Sequence, residues 1–295
     1  MKHKKVYQRS LLTGFHGHMV KTKNDLKSKI KLIDIIVEVL DARIPLSSSN
    51  KDIENLFETK PKIIVLNKAD LADDETTKRW EKEFINRGNK VVIMSANVSS
   101  NVNRLIEKIN ELGQEIYSEK IEGKSIKINP IYRVAIVGIP NVGKSTLINK
   151  MAKRETAKVG NKPGVTTANK WIRIANNIDL LDTPGLLWPN LNENDSGAKL
   201  ALTGNIKQEI LDSEELACLG IAMMISNEKY RKILAEKYKI EYINSEDEPY
   251  IILEEIGKKR GCIMSGGRVD TERASKLFLD EFKNGKIGKI SLEEC

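Results

Sequence analysis

Two hydrophobic periodicities divide the chain. Through its first two thirds, short β-branched and aliphatic runs, Leu32–Leu40, Lys62–Leu66, Val91–Met94 and Arg133–Val137, alternate with stretches whose apolar residues recur every three or four positions. Near-continuous apolar runs read as strands buried on both faces, as in a parallel sheet, and the intervening spacing reads as helices covering that sheet. The helical stretches run through Ile53, Leu56 and Phe57, capped by the Ser47–Asn50 cluster. Two more run through Trp80, Phe84 and Ile85, and through Val102, Leu105, Ile106, Ile109, Leu112 and Ile116. Trp171–Ile174 and Ile178–Leu181, around the turn-forming pair Asn176-Asn177, predict a hairpin. From about Asn190 the spacing is helical throughout, over Leu200–Leu202, Leu216–Met224, Tyr230–Tyr238, Pro249–Ile256 and Arg268–Phe282. The pattern predicts an α/β unit with a mostly parallel sheet over residues 32–189 and an all-helical domain over 190–295. Residues 1–31 stand apart as an arm.

The polar residues that interrupt this pattern carry the chemistry. Gly138-Ile139-Pro140-Asn141-Val142-Gly143-Lys144-Ser145-Thr146 fits the phosphate-loop template and lies between a predicted strand and a predicted helix, the context that template requires. Gly138 and Gly143 let the backbone curl so that amides aim at phosphate oxygens. Lys144 reaches the terminal phosphates, and Ser145 offers a hydroxyl to Mg²⁺. Lys62–Leu66 runs directly into Asn67-Lys68-Ala69-Asp70, a guanine-reading tetrapeptide. The Asp70 carboxylate can accept from guanine N1–H and the 2-amino group, a donor pair adenine lacks; Asn67 positions the loop, and the Lys68 stem packs on the ring. Ser95-Ala96 ends the next strand, where small residues let backbone amides approach guanine O6. Downstream, Lys158–Thr167 is a polar Gly/Pro segment in which Thr166 or Thr167 can reach Mg²⁺ and the terminal phosphate. Asp182-Thr183-Pro184-Gly185 closes the hairpin, with Asp182 toward Mg²⁺ and the Gly185 amide toward the terminal phosphate. The expected nucleotide contacts are thus Asn67, Lys68, Ala69, Asp70, Ser95, Ala96, Gly138, Asn141, Val142, Gly143, Lys144, Ser145, Thr146 and Gly185. Ordinary GTPases place the phosphate loop first and the base-reading loops last. Here the order is reversed, which a connection near residues 118–130 permits: a circular permutation.

Composition changes the picture in one respect. The 295-residue chain is 40% hydrophobic and 31% charged, ordinary for a globular protein. Its net charge of +8 is nevertheless concentrated: residues 1–31 hold nine Lys or Arg against Asp25 alone, so the remainder is neutral. A basic arm on a neutral body fits a polyphosphate partner, and a merely solubilising tail is the plainer alternative. Within the arm, Gly14-Phe15-His16-Gly17-His18-Met19 carries two histidines. Metal binding without a third ligand, an imidazole acting on phosphate or water, and an inert surface loop all stay open there. Cys218, Cys262 and Cys295 lack metal spacing and point to a reducing compartment. No apolar run is long enough to span a bilayer, so a cytoplasmic protein without membrane contact is expected.

With these residues in place, the chain resembles the circularly permuted GTPases of the ribosome-assembly group, and within it the bacterial ribosome biogenesis GTPase A family. The resemblance covers nearly the whole chain: Gly17–Met19, Asp41-Ala42-Arg43-Ile44-Pro45, Asn67–Asp70, Gly138–Thr146, Pro163–Thr167, Asp182–Gly185 and Gly266-Gly267-Arg268-Val269-Asp270. It implies a P-loop GTPase fold of permuted order and Mg²⁺-dependent GTP hydrolysis stimulated by the large ribosomal subunit, in late maturation of that subunit. The implied partners are its rRNA and ribosomal proteins, with GTP and GDP as ligands, and a monomer is the default. One departure is His16, where the family usually has proline, so His18 is the matching histidine. Lys144, Thr166 and Thr167 are expected to act in catalysis. The residue after Asp-x-x-Gly orients the attacking water in Ras-like enzymes, but here it is Leu186, which has no hydrogen-bonding group. Two substitutes are expected: His18, and a K⁺ ion at Asn141, because similar proteins with Asn in the phosphate loop often use potassium. Asn141 could equally stabilise the loop backbone alone. Basic residues of the C-terminal domain, Lys258 to Lys289, read as rRNA-binding by resemblance or as a salt-bridged helix surface. A GTP-dependent RNA-binding scaffold with incidental turnover is the alternative function.

Overall fold

The computed structural model of the chain describes residues 30–50, 55–96, 98–121, 130–159, 171–175, 177–181, 196–206 and 212–295. Its strands are β1 (Ile35–Asp41), β2 (Lys62–Asn67), β3 (Lys90–Ile93), β4 (Tyr132–Val137), β5 (Trp171–Ala175) and β6 (Ile178–Leu181). They form one sheet in the order β3-β2-β1-β4-β6-β5, parallel except for the antiparallel β5–β6 pair at one edge. The chain starts in the middle of the sheet at β1, builds outward through β2 and β3, and then returns to place β4 on the other side of β1. From there it builds the opposite half. Neighbouring β1 and β4 therefore send their connections to opposite edges. Such a switch point opens a crevice beyond the carboxyl ends of the strands, where α/β ligands bind.

All seven residues of β1 are buried, because helices cover both faces. On one side Val37, Val39, Val65 and Ile136 join Leu105 and Ile109 of α3 (Ser99–Ile121) and Leu147 and Met151 of α4 (Lys144–Val159). On the other, Leu40, Ile64 and Leu66 pack on Trp80 and Phe84 of α2 (Asp74–Asn86). Helix α2 is started by Asp73, whose carboxylate accepts the Thr76 amide at 2.9 Å. Ile85, expected beside Trp80 and Phe84, is instead 52% exposed. Trp80 and Phe84 are one helical turn apart, and the next residue swings off that face.

Two further expectations are corrected, and one helix is added. Leu32 lies in a 3-10 turn (Ile30–Leu32), and the strand begins at Ile35. Before the stretch through Leu56 a further short helix forms, the four-residue α1 (Pro45–Ser48), which Pro45 initiates with its preset φ and which contains Ser47 and Ser48. Residues 51–54, with Ile53, lie outside the described part. Helix α3 extends to Ile121, into what reads as connection.

The C-terminal region is helical as expected: α5 (Ser196–Leu202), α6 (Ser213–Ile225), α7 (Glu228–Tyr238), α8 (Pro249–Lys259) and α9 (Thr271–Lys283). Helix α6 packs against the other four. Gly220 makes this possible, since a Cβ there would lie 2.8 Å from Leu202. The last helix starts at Thr271, not Arg268, because Asp270 caps it and Gly266 and Gly267, at φ +90° and +79°, turn the chain just before. Buried residues of this region, such as Leu200, Leu216 and Phe278, are continuous with the core on the α3/α4 side of the sheet.

Beyond α9 the chain runs back along the sheet. The Ile290 amide donates to Leu71 O at 3.1 Å and the Leu292 amide to Arg43 O at 2.8 Å. The Trp80 indole donates to Glu293 O at 3.1 Å. The Glu293 carboxylate accepts from the Leu46 amide at 2.7 Å and the Ser47 amide at 3.2 Å. The cap of α1 thus arrives from the far end of the chain.

Candidate functional site

The phosphate loop follows β4 at the switch point. Gly138, Asn141 and Gly143 all have positive φ, +144°, +58° and +105°, so the backbone reverses its sense repeatedly before α4 begins at Lys144. Successive amides in such a curl, followed by a helix N-terminus, form a concave donor surface suited to anionic oxygens. Glycine is required twice for space as well as conformation. A Cβ at Gly138 would lie 2.5 Å from Val39 O, and one at Gly143 would collide with the Asn67 side chain.

Asn67 joins the loops of three strands. Its Nδ2 donates to Val142 O at 2.6 Å, and its Oδ1 accepts the Ala96 amide at 2.8 Å. The Ala69 amide donates to Met94 O at 3.2 Å. The structure therefore brings Asn67–Asp70, Ser95-Ala96 and Gly138–Thr146 to one edge. Asp70 is exposed, Ser145 and Thr146 are exposed on the first turn of α4, and Lys144 is buried with its ammonium donating to Ile139 O at 2.5 Å. Burial brings the Lys144 pKa down to about 8.

Asp41, the last residue of β1, and Arg43 just after it form a strut. Arg43 Nε and Nη2 donate to the two Asp41 carboxylate oxygens at 2.9 and 2.8 Å. The rest of the guanidinium reaches Lys283 O at 3.0 Å and Thr203 O at 2.9 Å. Lys68 lies 2.9 Å from Asp41. Burial alone would raise the Asp41 pKa, but Arg43 and Lys68 outweigh it and hold the carboxyl well below the usual range. Burial lowers the Lys68 pKa despite its proximity to Asp41. Lys68 also donates to Asn205 Oδ1, 3.3 Å away, and Asn141 Nδ2 donates to Asn205 O at 3.2 Å. Sequence reasoning gave no sign of Asn205 or Glu293: neither sits in a motif.

Residues 133–255 match a family model described as "50S ribosome-binding GTPase". A curated relative from Bacillus cereus named Ribosome biogenesis GTPase A is 42% identical over 283 residues, covering 96% of this chain and 94% of that protein. The Thermotoga maritima protein of the same name is 33% identical, with 96% and 94% covered. The chain belongs to the ribosome biogenesis GTPase A family. Solved structures described as GDP-bound and GNP-bound YlqF, the latter from T. maritima, are each 31% identical. They superpose with TM-scores of 0.61 and 0.59, cover 92% and 93% of this chain, and are themselves covered to 98%. As a member of the ribosome biogenesis GTPase A family, the chain is a GTPase of ribosome assembly, with a P-loop fold whose motif order is circularly permuted.

GTPases of this kind generally use Mg²⁺, and the exposed Ser145 hydroxyl beside Lys144 fits a hard oxygen-seeking cation. Thr166 and Asp182, the other expected ligands, lie outside the described residues, as do His18, Thr167, Gly185 and Leu186. Among the described residues no cluster of His, Cys, Asp or Glu could hold a metal by itself. Asn141 also fits a cation, because donating Nδ2 to Asn205 O leaves Oδ1 as its acceptor. Among the described residues no helix is long and apolar enough to cross a membrane.

Proposed function

We propose that the chain hydrolyses GTP on a precursor of the large ribosomal subunit, late in its assembly, and that the subunit stimulates the reaction. The observation carrying this reading is the Asn67 clamp, which sets a guanine-reading loop against a phosphate loop at 2.6 Å. Asp70 accepts from the guanine edge, the Lys68 stem covers the ring, and the Ser95-Ala96 turn faces O6. The amides of Gly138, Val142, Gly143 and Thr146 and the Lys144 ammonium hold the β- and γ-phosphates. Gly185 senses the terminal phosphate, and Mg²⁺ is held by Ser145, Thr166 and Asp182, its charge neutralising the phosphate oxygens when bound. Thr167 supports the same loop.

Leu186 cannot orient water, so intrinsic turnover is slow. His18 does so once the basic arm, residues 1–31, docks on rRNA or ribosomal protein. Asn141 would hold a K⁺ ion, which would supply the positive charge that other GTPases take from an arginine. Residues 32–189 form the GTPase domain and residues 190–295 the domain that contacts rRNA, in a monomer acting in the cytoplasm.

The test is steady-state GTP hydrolysis with and without purified large subunits, in KCl and in NaCl, with ATP as control. GTP-specific stimulation that is lost in His18→Ala at unchanged GTP affinity is the expected result. Stimulation unaffected by that substitution overturns the role of His18, and equal rates in the two salts overturn that of potassium. Tight GTP-dependent binding without multiple turnover would favour a scaffold whose hydrolysis is incidental.

A further inference from the structure

Asn205 lies just after α5, outside every nucleotide motif, yet it is fully buried and each of its polar atoms is engaged. Its amide N–H donates to Leu200 O at 2.8 Å. Its Nδ2 donates to Asp41 Oδ2 at 3.0 Å and to Thr203 Oγ1 at 2.9 Å. Its Oδ1 accepts from Lys68 Nζ at 3.3 Å, and its backbone oxygen accepts from Asn141 Nδ2 at 3.2 Å.

The two residues that reach it share an unusual property. Among the described residues only Lys68, Asn141 and Lys239 are non-glycine residues with positive φ, and the first two stand at +58° each. L-residues avoid that region because Cβ crowds the backbone, and they stay there only where the surroundings hold them. One of these residues is the lysine of the base loop, the other the asparagine of the phosphate loop. Both side chains end on the same buried asparagine of the helical region.

We propose that Asn205 is a positioning residue for the guanine nucleotide, holding the base loop through Lys68 and the phosphate loop through Asn141 in their left-handed conformations. The Lys68 ammonium, tethered by Asp41 and Asn205, cannot swing, so its stem stays where it covers the base. The helical region is thereby coupled to nucleotide affinity: a partner that displaces Thr203–Ile206 loosens both loops, and bound nucleotide by reciprocity holds that segment in place. The inference rests on the guanine-binding reading of these loops.

The test is titration of the full chain with fluorescent GDP, in potassium and Mg²⁺ buffer, for the unaltered protein, Asn205→Ala, Lys68→Ala and the double variant. Asn205→Ala is expected to weaken GDP about tenfold, the scale of one lost charge-assisted hydrogen bond, while the double variant loses clearly less than the product of the single losses. A general packing defect would lower the melting temperature without that coupling. Asn205→Ala keeps the backbone oxygen that Asn141 reaches and so reads the hold through Lys68: GDP binding within about twofold of the unaltered chain, or strictly multiplicative losses, overturns the proposal. If Asn205→Ala does not fold, Asn205→Ser is read the same way, since its hydroxyl is too short for the Lys68 contact. Absence of GDP binding by the unaltered chain overturns the guanine reading, and this inference with it.

Discussion

At the phosphate loop a lysine ammonium is buried against the Ile139 carbonyl, and burial brings its pKa down to about 8. An opposing phosphate would favour the charged form and raise that value. The sign follows: below about pH 7 the lysine is protonated before and after binding, and affinity does not depend on it. Above about pH 8 binding must take up a proton, so GDP affinity is expected to fall, by up to about tenfold per pH unit. Titrations across about pH 7 to 9, with proton uptake followed calorimetrically in two buffers, check this; flat affinity with no uptake would refute it. Asp41 shows the opposite arrangement. Its carboxylate is equally buried but answered by Arg43 and Lys68, so it works as a fixed anion that orients cations. Its place at the end of β1 does not by itself reveal that Arg43 holds both of its oxygens.

The smallest helix depends on the most distant support. Helix α1 has no side-chain cap of its own; Glu293, 6% exposed, accepts its first free amides and is also paired with Lys199 at 3.3 Å. Glu293→Ala is expected to cost about 2–3 kcal/mol in urea unfolding, combining a lost cap with a lost charge-assisted hydrogen bond. Arg79→Ala, which removes the exposed partner of Glu294, should cost under about 0.5 kcal/mol. Equal costs would show that the cap does not matter. The same helix explains where sequence reading stops. Strands β1, β2 and β4 were legible because two covered faces demand unbroken apolar runs, and the phosphate loop because its glycines are needed for both φ and space. The residue that caps α1 is 246 positions away from Ser47, beyond any local signal. Asn205 escaped notice for the same reason: one asparagine after an apolar turn carries no pattern, and only tertiary packing gives it Lys68 and Asn141.

For the molecule as a whole, the permuted order places the chain's first strand and its phosphate-loop strand side by side, so the switch point forms from segments about a hundred residues apart. The basic arm adds a long-range field that the neutral body lacks. Removing residues 1–31 should weaken subunit binding and flatten its dependence on salt by several units of slope, since each phosphate neutralised contributes about 0.9. An unchanged slope would mean that the arm leaves the phosphates alone. The helical region shares its apolar core with one face of the sheet and meets the nucleotide loops through Asn205 and Arg43. The return of Glu293 to Ser47 also sets a timetable. On a translating ribosome at about 5–20 residues per second, 246 residues separate the two by roughly 12–50 s. Through that interval the nascent GTPase half has its motifs but not its clasp. Newly made chains would thus complete the cap of α1 only after Glu293 has left the exit tunnel.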